Sequence, residues 1–248
     1  MTSRASKIDY GIDAPGVIRN LALIGLTALI AGVLGQYLGT SNWLWGFRFA
    51  FFSIAFVFIA ESLLMIIYAK IGKFRHRDRI LAAAGVRGHE RVLDLGTGRG
   101  LLAVGAAKRL STGRVVAVDI WKSEDLSSNS RARTEAVINS EGVADRVEIR
   151  EADATRLPFD DESFDIVLSN LCIHNISNPE GRRRAIEEAA RVLKPGGRAV
   201  ISDFKHTAAY ANHFRDAGLY SIERSGPFLW DTFPPLRIVI AQKGLAAA

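Results

Sequence analysis

Cysteine is nearly absent from these 248 residues, Cys172 being the only one. A lone thiol excludes an internal disulfide and any metal centre built from several cysteines, and it fits a reducing compartment. Charge is missing from Leu21 to Leu38 and almost missing from Phe49 to Tyr68, where Glu61 is the one charged residue. Two phosphate-binding signatures are also missing: no strand-like run leads into G-x-G-x-x-G, and no glycine loop closes on Gly-Lys-Ser/Thr. A dinucleotide or nucleoside triphosphate held in the usual way is therefore not expected.

What charge there is lies unevenly. The net charge is +6, yet residues 1 to 79 carry nine Lys and Arg against four Asp and Glu, and the rest of the chain is close to balance. The basic excess flanks the uncharged runs, which favours a lipid bilayer over nucleic acid as partner. Each run approaches the ~20 residues that cross a bilayer core. Between them GTSNWLWGFR reads as a short turn, with Trp43 and Trp45 suited to an interface and Arg48 able to snorkel. Cations on both outer flanks put both termini in the cytoplasm, under a multi-pass anchor in the cytoplasmic (inner) membrane. A cleaved signal peptide is the alternative for the first run, but no convincing cleavage site follows it. Small residues recur as Ala28 with Gly32, Ala31 with Gly35 and Gly35 with Gly39, which suits close packing on the second helix rather than on another copy. Oligomeric state is left open. Glu61 inside a span reads either as a group for a polar head or as a protonated structural acid.

The rest of the chain is organised around RVLDLGTGRG, Arg91 to Gly100. Val92, Leu93 and Leu95 make a buried-strand run, glycines follow at 96, 98 and 100, and LLAVGAAKRL continues with helical spacing. Glycine permits the tight bend and close approach of a ligand. Asp94, two residues before the first glycine, would repel a pyrophosphate and suit a cationic ammonium or sulfonium. Later runs alternate: strand GRVVAVDI to Asp119, a helix within Ser127 to Glu141, strand DRVEIRE, strand FDIVLSN, helix Arg182 to Leu193, strand RAVISDF, helix Tyr210 to Ala217, and a closing pair SIERS and LRIVIAQK. Alternation predicts a mostly parallel sheet with helices on both faces and an antiparallel last strand. The expected divisions are an N-terminal segment 1–20, a transmembrane hairpin 21–69, a basic linker helix 70–90 and an α/β domain 91–248. Asp160, Asp161 and Glu162 read as a solvated turn, Cys172 as buried rather than nucleophilic, and FLWDTFPP as lining for an apolar pocket.

The glycine turn with its flanking acid, hhDhGxGxG, and the order of elements after it resemble the class I S-adenosylmethionine-dependent methyltransferases. That resemblance implies a seven-stranded Rossmann-like sheet, here preceded by two transmembrane helices, and S-adenosylmethionine as cofactor. It puts Asp94, Gly96, Thr97, Gly98 and Gly100 at the turn that holds that molecule. Asp119 with Ile120 falls at the ribose, Asp153 with Ala154 at the adenine, and Asn170 near the reacting methyl. Ser169, Asn170, His174 and Asn175 fall at the carboxyl end of the fourth strand, where an acceptor should meet the sulfonium. His174 reads as a general base or as a positioning or packed ring, and Asp203 with His206 as a second candidate pair. No metal constellation is apparent. The Asn-Pro-Pro-aromatic pattern of enzymes that methylate nucleobase amines is missing, and arsenite methylation would need more cysteines.

The expected function is therefore a membrane-anchored methyltransferase acting on a lipid-soluble small molecule. The look-alikes within the family point to a quinone precursor or a lipid headgroup. S-methylation of hydrophobic thiols is an alternative, as is a membrane-tethered module that binds the cofactor without turnover.

Overall fold

The structure, a computed structural model, describes residues 8–38, 42–122, 126 and 129–245. Its elements in chain order are α1 (Pro15–Leu34), α2 (Asn42–Ile67), α3 (Lys73–Ala84), β1 (Arg91–Leu95), α4 (Leu101–Ala107), β2 (Arg114–Asp119), α5 (Arg131–Ser140), β3 (Val147–Glu151), β4 (Phe164–Asn170), α6 (Pro179–Arg191), β5 (Leu193–Asp203), α7 (Thr207–Asp216), β6 (Tyr220–Phe228) and β7 (Leu236–Gln242).

The strands form one sheet in the order β3-β2-β1-β4-β5-β7-β6. All pairings are parallel except those of β7, which runs against both β5 and β6. Strands covered on both faces must be apolar on both, and β1 shows why this sequence qualifies. Leu93 and Leu95 join Val116, Val118, Val167 and Ile201 in a core closed by α6 and α7. Val92 joins Val115, Ala117, Ile166 and Val200 in a second core closed by α3 and α4. The period of two also fixes where Asp94 goes: it shares the face of Val92 and points at α4. Leu95 pairs with both Val118 and Ser169, so β1, β2 and β4 end together at one edge. The chain crosses from β1 to β2 on one side and from β3 back over to β4 on the other, and that switch point is where open α/β sheets take ligands.

Helices α1 and α2 pack as a pair. Gly25, Ala28 and Gly32 are buried along one side of α1, and a Cβ on Gly25 would come within 2.7 Å of Ile59. The expected small-residue seam thus faces α2, apart from Gly39, which lies outside the described residues. Leu23, Ile24, Ile30, Phe49 and Phe56 on the outer sides are exposed, and both helices are long and apolar enough to cross a membrane. Two details differ from the sequence reading. Trp43 and Trp45 belong to the first turn of α2 rather than to a loop. Helix α2 also does not stop at Tyr68, because a π-helical turn over Tyr68–Gly72 carries it straight into α3. That turn lets Gly72 lie so close to the β6–β7 loop that a Cβ would sit 2.0 Å from the Asp231 carbonyl oxygen. Helix α3 buries Ile80 and Leu81 in the core and ends at Gly85, whose φ of 67° only glycine adopts cheaply.

The stretch preceding α1 packs against the α/β domain, which hydropathy did not indicate. Asp9 pairs with Arg99 at 2.6 Å, Lys73 donates to the carbonyls of Tyr10 and Gly11, and Asp13 bridges to Leu126. At the opposite end of the sequence, Leu229 and Trp230 are 65% and 100% exposed, so this loop presents its aromatic outward instead of lining a pocket.

Candidate active site

The bend after β1 is built by backbone geometry. Gly96, Gly98 and Gly100 have φ of 71°, 51° and 82°, and the N–H groups of Gly96 and Thr97 both donate to the Val118 carbonyl. Gly96 also lies directly under Cys172: a Cβ would stand 2.2 Å from its Sγ and 2.4 Å from its Cβ. The thiol is thus a half-buried wall over the bend.

Asp94 does not face the cleft. It is 1% exposed, beneath the bend, where one carboxylate oxygen accepts from Thr97 Oγ1 at 2.7 Å and from the Ala103 N–H at 3.0 Å. It ties the bend to the first turn of α4, and its other oxygen, Oδ1, is buried with no hydrogen-bond partner. Burial pushes its pKa up to about 7, against the smaller opposing pull of the two hydrogen bonds. The electrostatic argument from sequence placed this charge against the ligand, and the two-residue period of β1 turns it away instead.

This shift carries a sign. Between the unfolded value of 3.8 and about 7 the folded chain keeps a proton that the unfolded chain releases, so this group's contribution to stability falls as pH rises through that window. His76 acts oppositely. Burial, with Arg79 beside it, lowers its pKa from 6.5 to about 4, so its contribution is lost as pH falls through that range. Arg79 donates to its Nδ1, leaving Nε2–H for Ser202 Oγ at 2.6 Å. Comparing Asp94→Asn with wild type cancels His76. In urea unfolding the variant should gain about 4 kcal/mol on wild type between pH 4 and pH 8; a difference independent of pH would show that Asp94 ionises freely.

Asp119 ends β2 and lines the cleft. Its Oδ2 accepts from the Gly98 N–H at 2.7 Å and its Oδ1 from the Trp121 N–H at 2.6 Å. Beside it opens a cavity of about 510 Å³, lined by Gly96, Gly98, Asp119, Ile120, Asp153 and Ala154 among others. Of the ten residues expected around the cofactor, these six border the cavity. Thr97 and Asp94 support it from below, Gly100 caps α4, and Asn170 stands at the end of β4 with Oδ1 buried and unpartnered. Sequence reasoning missed Leu126, Asn129 and Arg184, which also border it. No local pattern marks them, since two lie in the loop after β2 and one on a helix face that reads as solvated. Asn129 Oδ1 is a further buried acceptor without a partner.

His174 sits on a short 3₁₀ turn, Ile173–Asn175, after β4. Its Nδ1 is 2.9 Å from Asp203 Oδ1, without hydrogen-bond alignment, and its backbone N–H donates to Oδ2 at 3.1 Å. Asp203 is fully buried and also accepts from the Phe204 N–H and the Tyr210 hydroxyl. Phe204 meets the imidazole edge-on at 4.7 Å. The carboxylate therefore joins His174, whereas His206 caps α7 with an exposed ring. A buried acid against Nδ1 leaves Nε2 as the nitrogen that can take a proton.

The cavity offers what a nucleoside with a cationic tail requires: acids at two separated points, a bend open to close approach, and apolar Val118, Leu126 and Ile176 between them. It lies within the 300–1,000 Å³ range usual for small-molecule sites. Residues 93–201 match the family described as a methyltransferase domain. The chain is 44% identical over 123 residues to a demethylmenaquinone methyltransferase of Clavibacter sepedonicus, covering 50% of this chain and 44% of that protein. It is 38% identical over 122 residues to the ubiquinone/menaquinone biosynthesis C-methyltransferase UbiE of Pseudomonas putida, covering 49% and 44%. The chain thus spans about half the length of the curated relatives it matches. Among solved structures, a SAM-dependent methyltransferase from Aquifex aeolicus superposes with a TM-score of 0.54 at 22% identity, covering 67% of this chain and 88% of that one. The [4+2]-cyclase SpnF superposes with 0.58 at 18% identity, covering 70% and 81%. Residues 93–201 are thus a methyltransferase domain on the fold of the S-adenosylmethionine-dependent methyltransferases, which indicates S-adenosylmethionine as cofactor.

Proposed function

We propose that the protein is a membrane-anchored methyltransferase whose acceptor is a lipid-soluble small molecule, with a quinone precursor ahead of a lipid headgroup. One observation carries this reading: a single helical run, Trp43–Ala84, joins an apolar, largely uncovered stretch to α3, which is wedged into the core of the domain that holds the cleft. From Tyr68 to Ala84 the helix rises roughly 24 Å, so the cleft stays within reach of a ring embedded in the bilayer. The names of the relatives, both quinone methyltransferases, favour the quinone class. The domain and both termini are proposed to lie in the cytoplasm, at the cytoplasmic membrane and without nucleic acid as partner.

In this reading Asp119 holds the ribose hydroxyls, Asp153 with Ala154 the adenine, and the bend from Gly96 to Gly100 the amino-acid end. When bound, the cofactor supplies a methyl group on positive sulfur that is already activated for transfer. What remains for the protein is placement and proton removal. Asp203 steadies His174 from the Nδ1 side, and Nε2 takes the acceptor's proton. An expected gain of about 10²–10⁴ for a positioned base is worth keeping a carboxylate buried at this spot.

The test uses the full chain in detergent with isotope-labelled S-adenosylmethionine and either demethylmenaquinol or a membrane lipid extract. Label in an organic-soluble product with matching release of S-adenosylhomocysteine is the expected result, and extraction from membranes should need detergent rather than carbonate. Cofactor binding without transfer to any acceptor would instead favour a tethered binding module. SpnF, a cyclase on this fold, makes that comparison necessary.

A further inference from the structure

Buried polar atoms in a native fold are nearly always paired, and those that are not tend to mark places built for something else. Among the described residues, four of the atoms without an aligned partner are Asp94 Oδ1, Asn129 Oδ1, Asn170 Oδ1 and the hydroxyl of Tyr68. The first two belong to the cofactor bend and cavity. The last two do not border that cavity. Tyr68 is 4% exposed, at the π-helical turn where α2 meets the domain, and Asn170 is the last residue of β4. The Tyr68 hydroxyl stands within hydrogen-bonding reach of the Asn170 side chain but without an aligned hydrogen bond, and within electrostatic reach of Asp13, Asp203 and Asp231. Its ring is fixed from below, since a Cβ on Gly72 would lie 3.1 Å from Tyr68 Cδ2.

We propose that Tyr68 and Asn170 form the head-group subsite of the acceptor and bind a neutral ring hydroxyl. The apolar helix would then contribute a substrate contact as well as an anchor. This rests on the methyltransferase reading above. A tyrosine hydroxyl both donates and accepts, and an asparagine side chain offers a carbonyl oxygen and an amide, so together they complement a group that also does both. A cationic ammonium head suits the site less, because each nearby carboxylate is already engaged by polar partners. Asp13 faces Lys73 at 3.7 Å, Asp231 faces Arg79 at 2.7 Å, and Asp203 faces His174. Asn170 is four residues before His174, so a hydroxyl held here lies on the same loop as the group proposed to deprotonate it. Both atoms are shut off from water, which suits a ring arriving from the bilayer.

The experiment compares wild type with Tyr68→Phe, both as full chains in detergent under argon, using 1,4-dihydroxynaphthalene as probe. Wild type should show a probe-induced rise in Tm that Tyr68→Phe lacks. Without probe the variant should unfold at the same or a higher temperature, because the lost hydroxyl makes no well-aligned hydrogen bond. S-adenosylmethionine binding should be equal in both, and KM for demethylmenaquinol should rise about tenfold in the variant, the size of one lost hydrogen bond. An equal probe shift in both proteins, no shift in either, or a lower Tm for the variant without probe would overturn the subsite. Turnover is read separately. A wild type that methylates demethylmenaquinol while both proteins respond alike to the probe refutes the subsite and leaves the function standing. A wild type that methylates nothing while the shift depends on Tyr68 refutes the function and leaves the subsite.

Discussion

Gly96→Ala should abolish detectable S-adenosylmethionine binding by calorimetry and lower stability by about 2–5 kcal/mol, the sum of a left-handed backbone penalty and an overpacking cost. The backbone there has φ of 71°, and the new methyl would meet Cys172 at 2.2 and 2.4 Å. Relief would have to come from the bend or from the residues after β4, and both border the cavity. Gly142→Ala is the control. Its φ is 68° with nothing within 4 Å of the added Cβ, so it should cost only about 1–2 kcal/mol of backbone strain and leave binding intact. Cys172→Ala added to Gly96→Ala removes the Sγ contact but not the one at Cβ, so recovery should be partial. Unchanged binding by Gly96→Ala would mean that the ligand does not use this bend.

His174→Ala should reduce kcat by about 10²–10⁴ while the Kd for S-adenosylmethionine stays within about twofold, since the ring does not border the cofactor cavity. A loss confined to kcat marks an interaction made in the transition state. Asp203→Asn should lower kcat too, by offering Nδ1 an amide in place of a carboxylate. It should also cost stability, because the Asp203 side chain accepts from two backbone N–H groups and a tyrosine. If His174→Ala retained kcat within a factor of three, the ring would be packing against Phe204 and no more.

Much of this was legible in the chain. The run from Arg91 to Gly100 announced strand, bend and helix because three glycines two apart after a buried strand leave few other conformations. The mostly parallel sheet with its antiparallel last strand followed from alternation, and Asp119, Asp153 and Ala154 fell at the cavity because strand ends carry them there. Three things were not legible. Asp94 was read as facing the ligand, although the period of two along β1 sends it under the bend. His206 was paired with Asp203 from closeness in sequence, whereas the 3₁₀ turn after β4 brings His174 there from 29 residues away. The contribution of residues 9 to 13 and of Tyr68 depends on contacts between segments far apart in sequence, such as Asp9 with Arg99, and hydropathy contains no trace of these.

The contacts made by Asp9, Tyr10 and Lys73 have a topological consequence. The polypeptide enters the hairpin just after Asp13 and leaves it just before Lys73, and both of those points are fastened to the same globular body. If the two helices span a bilayer, an odd number of crossings would tear one fastening open, so tertiary structure holds both ends of the hairpin on the same side of the membrane. Blocking the crossing of one helix alone should therefore yield unfolded chains rather than folded ones with a single crossing.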